Sequence, residues 1–157
     1  MDLAGTDCPA FLLEAAVSAR PVGPDALRGR RTVLIFHGPR TTDAPKEIGK
    51  AVRAAHPLAA DVFVANIVDL KSMGGLWTKV ATAQLKSTYE KLAAKLTKVD
   101  PAEYVVMCPD WKGTVAPLFG VADPNQAAGV AVLDAQGKVV GATDTGDLAA
   151  QTLSWLG

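Results

Sequence analysis

The chain has 157 residues, of which 49% are hydrophobic and 20% are charged, and its 16 Lys and Arg residues are balanced by 16 Asp and Glu residues. This length and apolar fraction suffice for one buried core, so we expect a single domain over residues 1–157. The balanced charge argues against nucleic acid or a membrane surface as the partner, because both select a basic face.

The chain begins with a lead-in over residues 1–31 that is rich in turn-forming residues. Residues 1–7 show neither the basic start nor the apolar run of a signal peptide, and no later segment has the length of a membrane span. We therefore predict a cytoplasmic protein. Cys8, within this lead-in, is expected to be exposed and unreactive.

An apolar, β-branched run at residues 32–36 predicts a first core strand that is buried on both faces. Asp43 is expected to cap the helix that follows. A second buried strand is predicted at residues 62–68. It leads into an extended crossover over residues 69–98, made of a loop and a long amphipathic helix.

The remaining elements are a third strand at residues 104–108, a short helix at 114–119, a hairpin within 129–142 and a last helix capped by Asp147. Strands that alternate with helices imply a parallel sheet, and the hairpin adds antiparallel strands. We predict an α/β fold with a central mixed sheet of about five strands flanked by helices. The first core strand is expected at its centre and the third at an edge.

This order of elements is similar to that of the thioredoxin superfamily, and three segments resemble its peroxiredoxin branch (alkyl hydroperoxide reductase/thiol-specific antioxidant). Residues 27–36 resemble the lead into the first core strand, residues 109–121 the exit from the third strand, and residues 129–140 the hairpin. The resemblance implies a thioredoxin-like fold over nearly all of residues 8–157.

The resemblance also shows where the chemistry of the family is missing. In peroxiredoxins, a proline after the first core strand is followed four positions later by a threonine and seven positions later by the peroxidatic cysteine. Pro39 matches the proline, whereas Asp43 and Lys46 occupy the other two positions. The only cysteines are Cys8 and Cys108. Peroxide reduction and disulfide exchange need a thiolate, so we expect neither activity.

The loop after the first core strand is the best candidate for a binding site, because open α/β sheets bind ligands beyond the carboxyl ends of their strands. Hydroxyl and backbone N–H groups at a helix start can hold an anion or a carboxylate. The alternative is that these polar residues only cap the helix. The candidates are His37, Pro39, Arg40, Thr41, Thr42 and Asp43, with Met73, Trp77 and Trp111 added from neighbouring segments.

The segment from Met73 to Trp77 contains two glycines between apolar side chains. Glycine permits close backbone approach, and methionine adapts to irregular surfaces. The segment is interpreted as a pocket wall or lid for an apolar ligand, or as a patch for a partner or a homodimer. The alternative is that Trp77 is the first core residue of the long helix.

Three hypotheses of function remain. The first is a non-catalytic thioredoxin-fold module that binds a protein partner or a small ligand at the former active-site edge. The second is an atypical thiol oxidoreductase or redox sensor that uses Cys108, against the alternative of a buried structural residue. The third is a cofactor-binding protein that uses the Met73–Trp77 region, with His37, Met73 or Met107 as ligands. The sequence identifies no cofactor, and its two histidines and two cysteines make a structural metal site unexpected.

Overall fold

A five-stranded mixed sheet forms the centre of the computed structural model, which describes residues 2–157. The strands are β1 (Leu13–Glu14), β2 (Pro21–Val22), β3 (Arg31–His37), β4 (Val62–Asp69), β5 (Met107–Asp110), β6 (Gly129–Leu133) and β7 (Val139–Thr143). The helices are α1 (Pro24–Leu27), α2 (Asp43–Ala55), α3 (Thr78–Ala94), α4 (Pro101–Tyr104) and α5 (Leu148–Leu156), with 3₁₀ helices at Gly75–Trp77 and Ala116–Phe119.

The strands of the central sheet lie in the order β5-β4-β3-β6-β7, while β1 and β2 pair separately. β4 is parallel to both β3 and β5, whereas β6 is antiparallel to β3 and β7. The prediction of a mixed α/β sheet with the first core strand at its centre is therefore confirmed. Within residues 2–157, no helix combines the length and the apolar character needed to cross a bilayer.

Side chains of alternate strand residues divide the core between two faces of the sheet. On one face, which we call the lead-in face, the ring of Phe36 lies 5.2 Å from that of Phe119, and Phe11 of the lead-in packs edge-on against Phe119 at 6.0 Å. On the opposite face, which we call the α2 face, Val33 and Ile35 pack with residues of α2 and α5. The lead-in thus covers one side of the sheet.

The third strand begins at Met107, three residues later than predicted, because residues 101–104 form the short helix α4. The N-cap residue Asp100 accepts a hydrogen bond from the N–H of Ala102 at 3.0 Å, which stabilises the first turn. Proline at the first helical position has no N–H to leave unsatisfied. Local capping therefore outweighs the β-branched character of the residues that follow.

The two predicted helix caps differ in outcome. Asp147 caps α5, because its carboxylate accepts from the N–H of Ala150 at 3.0 Å. Asp43 does not cap α2: it is the first helical residue, and the N-cap residue Thr42 makes no side-chain capping bond. The start of α2 is instead determined by contacts with a distant loop, which are described below.

An ion-paired carboxylate ties α4 to the lead-in. Glu103 accepts hydrogen bonds from the guanidinium groups of Arg20 and Arg30, the latter at 3.0 Å. The bond from Arg20, reinforced by Arg30, lowers the pKa of Glu103 from 4.5 to about 2. Because the folded-state pKa is depressed, this stabilisation is complete above about pH 4.5 and is lost as the pH falls towards 2.

We expect Glu103→Gln to lower the free energy of unfolding at neutral pH by about 1–2 kcal/mol, less than the pKa shift alone implies because solvent screens a partly exposed pair. Urea unfolding of both proteins at neutral pH and near pH 2.5 measures the effect. The difference should shrink several-fold at the lower pH, where the unfolded wild-type carboxyl is protonated. An equal difference at both pH values would contradict the ion-pair origin.

Candidate ligand-binding cleft

A cleft of about 560 Å³ opens on the α2 face of the sheet. Its floor is formed by β4 and the start of β5, with Val64, Val68 and Met107 among the lining residues. One wall is a face of α2 and the other is a face of α3. His37, at the carboxyl end of the central strand, lies at one end of the cleft.

The cleft exists because α3 packs loosely on the sheet. Ala81 is the only fully buried residue of this helix, and its side chain is a single methyl group. Leu85 and Tyr89 are partly buried against the same cluster. Gln84 and Thr88 of α3 line the cleft but do not fill it. No large apolar side chain therefore occupies the space between α2 and α3.

The lining residues of the α2 wall recur at helical spacing, and several of them are positively charged. Residues three or four apart lie on one side of a helix, and the lining residues follow this rule. Lys46 and Lys50 are exposed on this wall, and neither amino group has a carboxylate within salt-bridge distance among residues 2–157. No Asp or Glu of the described chain lines the cleft. The lining residues of α2 and its N-cap are Thr42, Pro45, Lys46, Gly49, Lys50 and Arg53.

Gly49 lies between the two lysines on the cleft wall. A Cβ atom built on it would meet nothing within 4 Å, so the space beside it is open. Glycine within a helix costs about 0.5–1 kcal/mol relative to alanine. Here it keeps the middle of the cleft free of side-chain atoms.

The far end of the cleft is closed by Arg53 and Tyr104. The guanidinium carbon of Arg53 lies 5.0 Å from the centre of the Tyr104 ring, and its Nη1 donates to the carbonyl of Val62 at 2.8 Å. The Nη2 atom of Arg53 and the Oδ1 atom of Asn66 are buried without a hydrogen-bond partner among the described residues. This end of the cleft therefore carries a positive charge that is fixed by the protein itself.

His37 is buried, with 9% of its surface exposed. Its Nδ1 lies 3.3 Å from the carbonyl oxygen of Gly38. Since a carbonyl can only accept, Nδ1 carries the proton, and Nε2 is left as an acceptor. Burial lowers the pKa of His37, and the bond to Gly38 offsets only part of this effect. The ring is therefore neutral near pH 7.

Because His37 is buried in its neutral form, we expect the protein to become less stable as the pH falls. The folded-state pKa lies below the unfolded value of 6.5, so stability falls as the pH drops below 6.5, where only the unfolded chain takes up the proton. We expect His37→Asn to remove the part of this decline that His37 causes between about pH 6.5 and pH 5. Thermal unfolding across this range measures it, with His56→Asn as the control. A decline that is unchanged in His37→Asn would contradict the assignment.

Some of the predicted site residues line the cleft, and the others lie outside it. Four of them, His37, Pro39, Thr42 and Met73, line the cleft together. Five others, Arg40, Thr41, Asp43, Trp77 and Trp111, lie outside the lining. Lys46, which stands at the position of the peroxidatic cysteine in the resemblance, is part of the cleft wall.

The first turn of α2 is covered by the loop before β6. The hydroxyl of Thr41 donates to the carbonyl of Pro124 at 2.6 Å and accepts from the N–H of Gly38 at 2.9 Å. A Cβ atom on Gly38 would lie 1.8 Å from Oδ1 of Asn125, so only glycine fits under this loop. Thr41 thus neither caps the helix nor faces an open anion site; it anchors the loop.

Trp77 is not the first core residue of the long helix, and that interpretation is wrong. It is 59% exposed, and its neighbour Leu76 is 94% exposed. The reason is local geometry: residues 75–77 form a 3₁₀ helix, with roughly three residues per turn, before α3 begins at Thr78. The change of phase turns Trp77 away from the face on which Ala81 is buried.

Both cysteines are buried and free. Cys108 is 0% exposed and packs on the lead-in face, whereas its neighbour Met107 faces the cleft, because adjacent strand residues point to opposite sides. Burial raises the pKa of Cys108 to about 12.

The prediction that Cys8 is exposed is wrong. Its N–H donates to the carbonyl of Gly137 at 2.9 Å, which fixes the lead-in beneath the β6–β7 hairpin. Burial raises the pKa of Cys8 to about 11, although Arg28 opposes the shift. The lead-in gains this packing from a partner more than a hundred residues away, so local sequence carries no sign of it.

Gly49, Lys50 and Arg53 were not among the site residues predicted from the sequence. The signal that was available is their spacing from Thr42 along one side of α2. It was not decisive, because cations along a helix are usually a solvated face. Only the position of α3 converts this side of α2 into the wall of a cleft.

The comparisons with known proteins concern the fold. No protein-family model and no curated protein sequence matches the chain. Among solved structures, the exposed lipoprotein thioredoxin of Streptococcus pneumoniae is 15% identical over 94% of this chain and 98% of its own, with a TM-score of 0.65. The chain has a thioredoxin-like fold.

Other structures with this thioredoxin-like fold include a thiol-disulfide oxidoreductase of Bacteroides fragilis, 15% identical over 96% of this chain and 99% of its own, with a TM-score of 0.62. A secreted disulfide oxidoreductase of Mycobacterium tuberculosis is 17% identical over 93% of both chains, with a TM-score of 0.57. At these identities the likeness shows the thioredoxin-like fold and does not extend to activity.

The prediction of a cytoplasmic location is corrected by the same comparison. Structures with this thioredoxin-like fold include an exposed lipoprotein and a secreted oxidoreductase. The prediction rested on the composition of residues 1–7, which says nothing about the compartment in which a folded domain works.

Proposed function

We propose that the protein is a non-catalytic binding module that takes a small, largely apolar ligand in the cleft between α2 and α3. The observation that carries this proposal is the cleft itself: about 560 Å³ of open space beside an apolar floor, next to the carboxyl end of the central strand. Ligand sites are typically clefts of roughly 300–1,000 Å³ with apolar linings and a few polar groups.

The absence of a usable thiol supports a binding role over a redox role. Lys46 lies in the cleft where the resemblance would have a reactive cysteine. Cys108 is fully buried on the opposite face of the sheet, with its pKa raised to about 12 by burial. A thiol in this state supplies almost no thiolate at neutral pH, and thiolate is the reactive form.

The experiment is a titration of the purified chain with a neutral fluorescent apolar probe, N-phenyl-1-naphthylamine. We expect saturable binding at one site per chain, with enhanced emission. The same preparation should neither consume hydrogen peroxide nor reduce insulin disulfides. Failure to saturate with the probe, or peroxide consumption that depends on Cys108, would overturn the proposal.

A second candidate is binding of a planar cofactor in the same cleft. It is favoured by one observation: His37, Met73 and Met107 all line the cleft. With Nδ1 bonded to Gly38, the free Nε2 of His37 has the lone pair that a metal ligand needs. Titration with haemin tests it. A sharp visible absorption band that is lost in His37→Ala would favour this candidate, and an unshifted haemin spectrum would remove it.

We propose that the chain belongs to the peroxiredoxin branch of the fold, a proposal supported by Pro39, which follows β3 where that branch has its proline. We propose that residues 1–157 form one domain, since lead-in residues such as Phe11 pack on the central sheet. We place its action outside the cytoplasm, a proposal supported by the exposed and secreted proteins that share the fold.

A further inference from the structure

We propose that the ligand of this cleft is an anionic amphiphile, an extended apolar chain with a carboxylate or phosphate head that is bound by Lys46 and Lys50. The inference rests on the proposed binding function and specifies the chemical class of the ligand. The length of the cleft, the distribution of charge along its walls and the contacts that hold Arg53 at its far end support this ligand class.

The cleft is elongated rather than round. Its α2 wall extends from Thr42 to Arg53, eleven residues apart, which corresponds to about 16 Å along a helix axis. Its floor follows β4 from Val64 to Val68 and continues to Leu70, just beyond the strand. A volume of about 560 Å³ spread over this length suits an extended chain.

The floor of the cleft is largely apolar and its α2 wall is cationic, so each favours a different part of the ligand. Val64, Val68, Met107 and Leu85 present carbon and sulfur to the ligand, with the amide of Asn66 between the two valines, so most of the ligand must be apolar. The α2 wall adds exposed ammonium groups, and none of the lining residues in the described chain is acidic. A neutral apolar chain would cover the apolar floor but would bring no negative charge to Lys46 and Lys50.

The two lysines are poised for an anion. Lys46 and Lys50 are four residues apart on one helix, so their like charges repel each other weakly. Neither has an acidic partner within salt-bridge distance among residues 2–157. Both side chains are exposed at the rim, so they remain hydrated in the free protein and their charge costs folding little. A bound anion between them relieves the repulsion.

The head group belongs at the lysines rather than at Arg53. The guanidinium of Arg53 already donates to the carbonyl oxygens of Val62 and His56 and lies against the ring of Tyr104. Its remaining Nη2 is buried and out of reach of solvent. Arg53 therefore closes the end of the cleft, while the exposed ammonium groups of Lys46 and Lys50 receive the head.

The test is a displacement titration of the bound neutral probe with four ligands of equal chain length: dodecanoate, dodecyl phosphate, dodecanol and dodecyltrimethylammonium, each below its micelle concentration. We expect the anions to displace the probe with a Kd about ten-fold or more below that of the alcohol, and the cation to be weakest. Added salt should reduce this preference, because screening weakens exposed ion pairs. Comparison of the two anions distinguishes a carboxylate from a phosphate source.

The double variant Lys46→Gln/Lys50→Gln should lose the preference for anions while it still binds the neutral probe. The matched control, Lys79→Gln/Lys86→Gln, should keep it, since these two exposed lysines lie on one side of α3 and neither lines the cleft. Equal affinity for dodecanoate and dodecanol, or a preference that survives in the first double variant, overturns this inference alone. Absence of probe binding to the wild-type chain overturns the proposed function itself.

Discussion

Gly49→Phe is expected to abolish probe binding in the cleft, with a loss of affinity of about fifty-fold or more, because the aromatic ring would occupy the space that the ligand needs. Gly49 lies in the middle of the α2 wall, and a Cβ atom there meets nothing within 4 Å. The new side chain can therefore enter the cleft without displacing backbone. Fluorescence titration with N-phenyl-1-naphthylamine measures the loss.

Gly49→Ala is the matched control. It changes the same residue, adds only a methyl group, and is expected to raise the free energy of unfolding by about 0.5–1 kcal/mol through helix propensity. Probe binding should remain within a few-fold of wild type. Gly49→Leu provides an intermediate volume in case the phenylalanine variant folds poorly. Wild-type affinity in a folded Gly49→Phe protein would show that the ligand binds elsewhere.

The second large effect concerns the thiols. At pH 8 and without denaturant, we expect Cys108 to react with iodoacetamide about 1,000-fold more slowly than in the unfolded chain, and Cys8 about 100-fold more slowly. These factors follow from the thiolate fractions, since burial raises the two pKa values from 9.0 to about 12 and about 11. Because Cys108 is fully buried, the reagent reaches it only when the structure opens, which slows its reaction further.

Mass spectrometry of the single-cysteine variants Cys8→Ala and Cys108→Ala separates the two rates. Alkylation in guanidinium chloride provides the unfolded reference. A Cys108 thiol that is modified within seconds in the native protein would contradict its burial. It would also restore the hypothesis of a thiol enzyme or redox sensor, which no lining residue of the cleft supports.

The chain has a thioredoxin-like fold and no cysteine at the start of α2, yet it has open space beside its central strand. In this chain the loop before β6 covers one side of the start of α2, through Thr41 and Asn125. The open volume begins at His37 and Thr42 and extends along α2, between this helix and α3. A binding module built on this fold would thus use the side of the helix that faces α3.

Local sequence determined much of the architecture. Continuous β-branched runs predicted β3 and β4, the turn composition predicted the β6–β7 hairpin, and Asp147 predicted the start of α5. These features succeed because strand burial, turn geometry and capping act over a few residues. The lack of a cysteine at the position of Lys46 likewise excluded thiol chemistry there without any coordinates.

Only the tertiary structure decided which polar residues share a site. Lys46 and Lys50 belong to a cleft because α3, some thirty residues later, stands off the sheet on the small side chain of Ala81. Trp77 is exposed and Cys8 is buried for the same kind of reason, since each depends on contacts with distant segments. Residue spacing within one element indicates which side chains face the same way; the distance to the next element determines whether that face meets protein, solvent or a cavity.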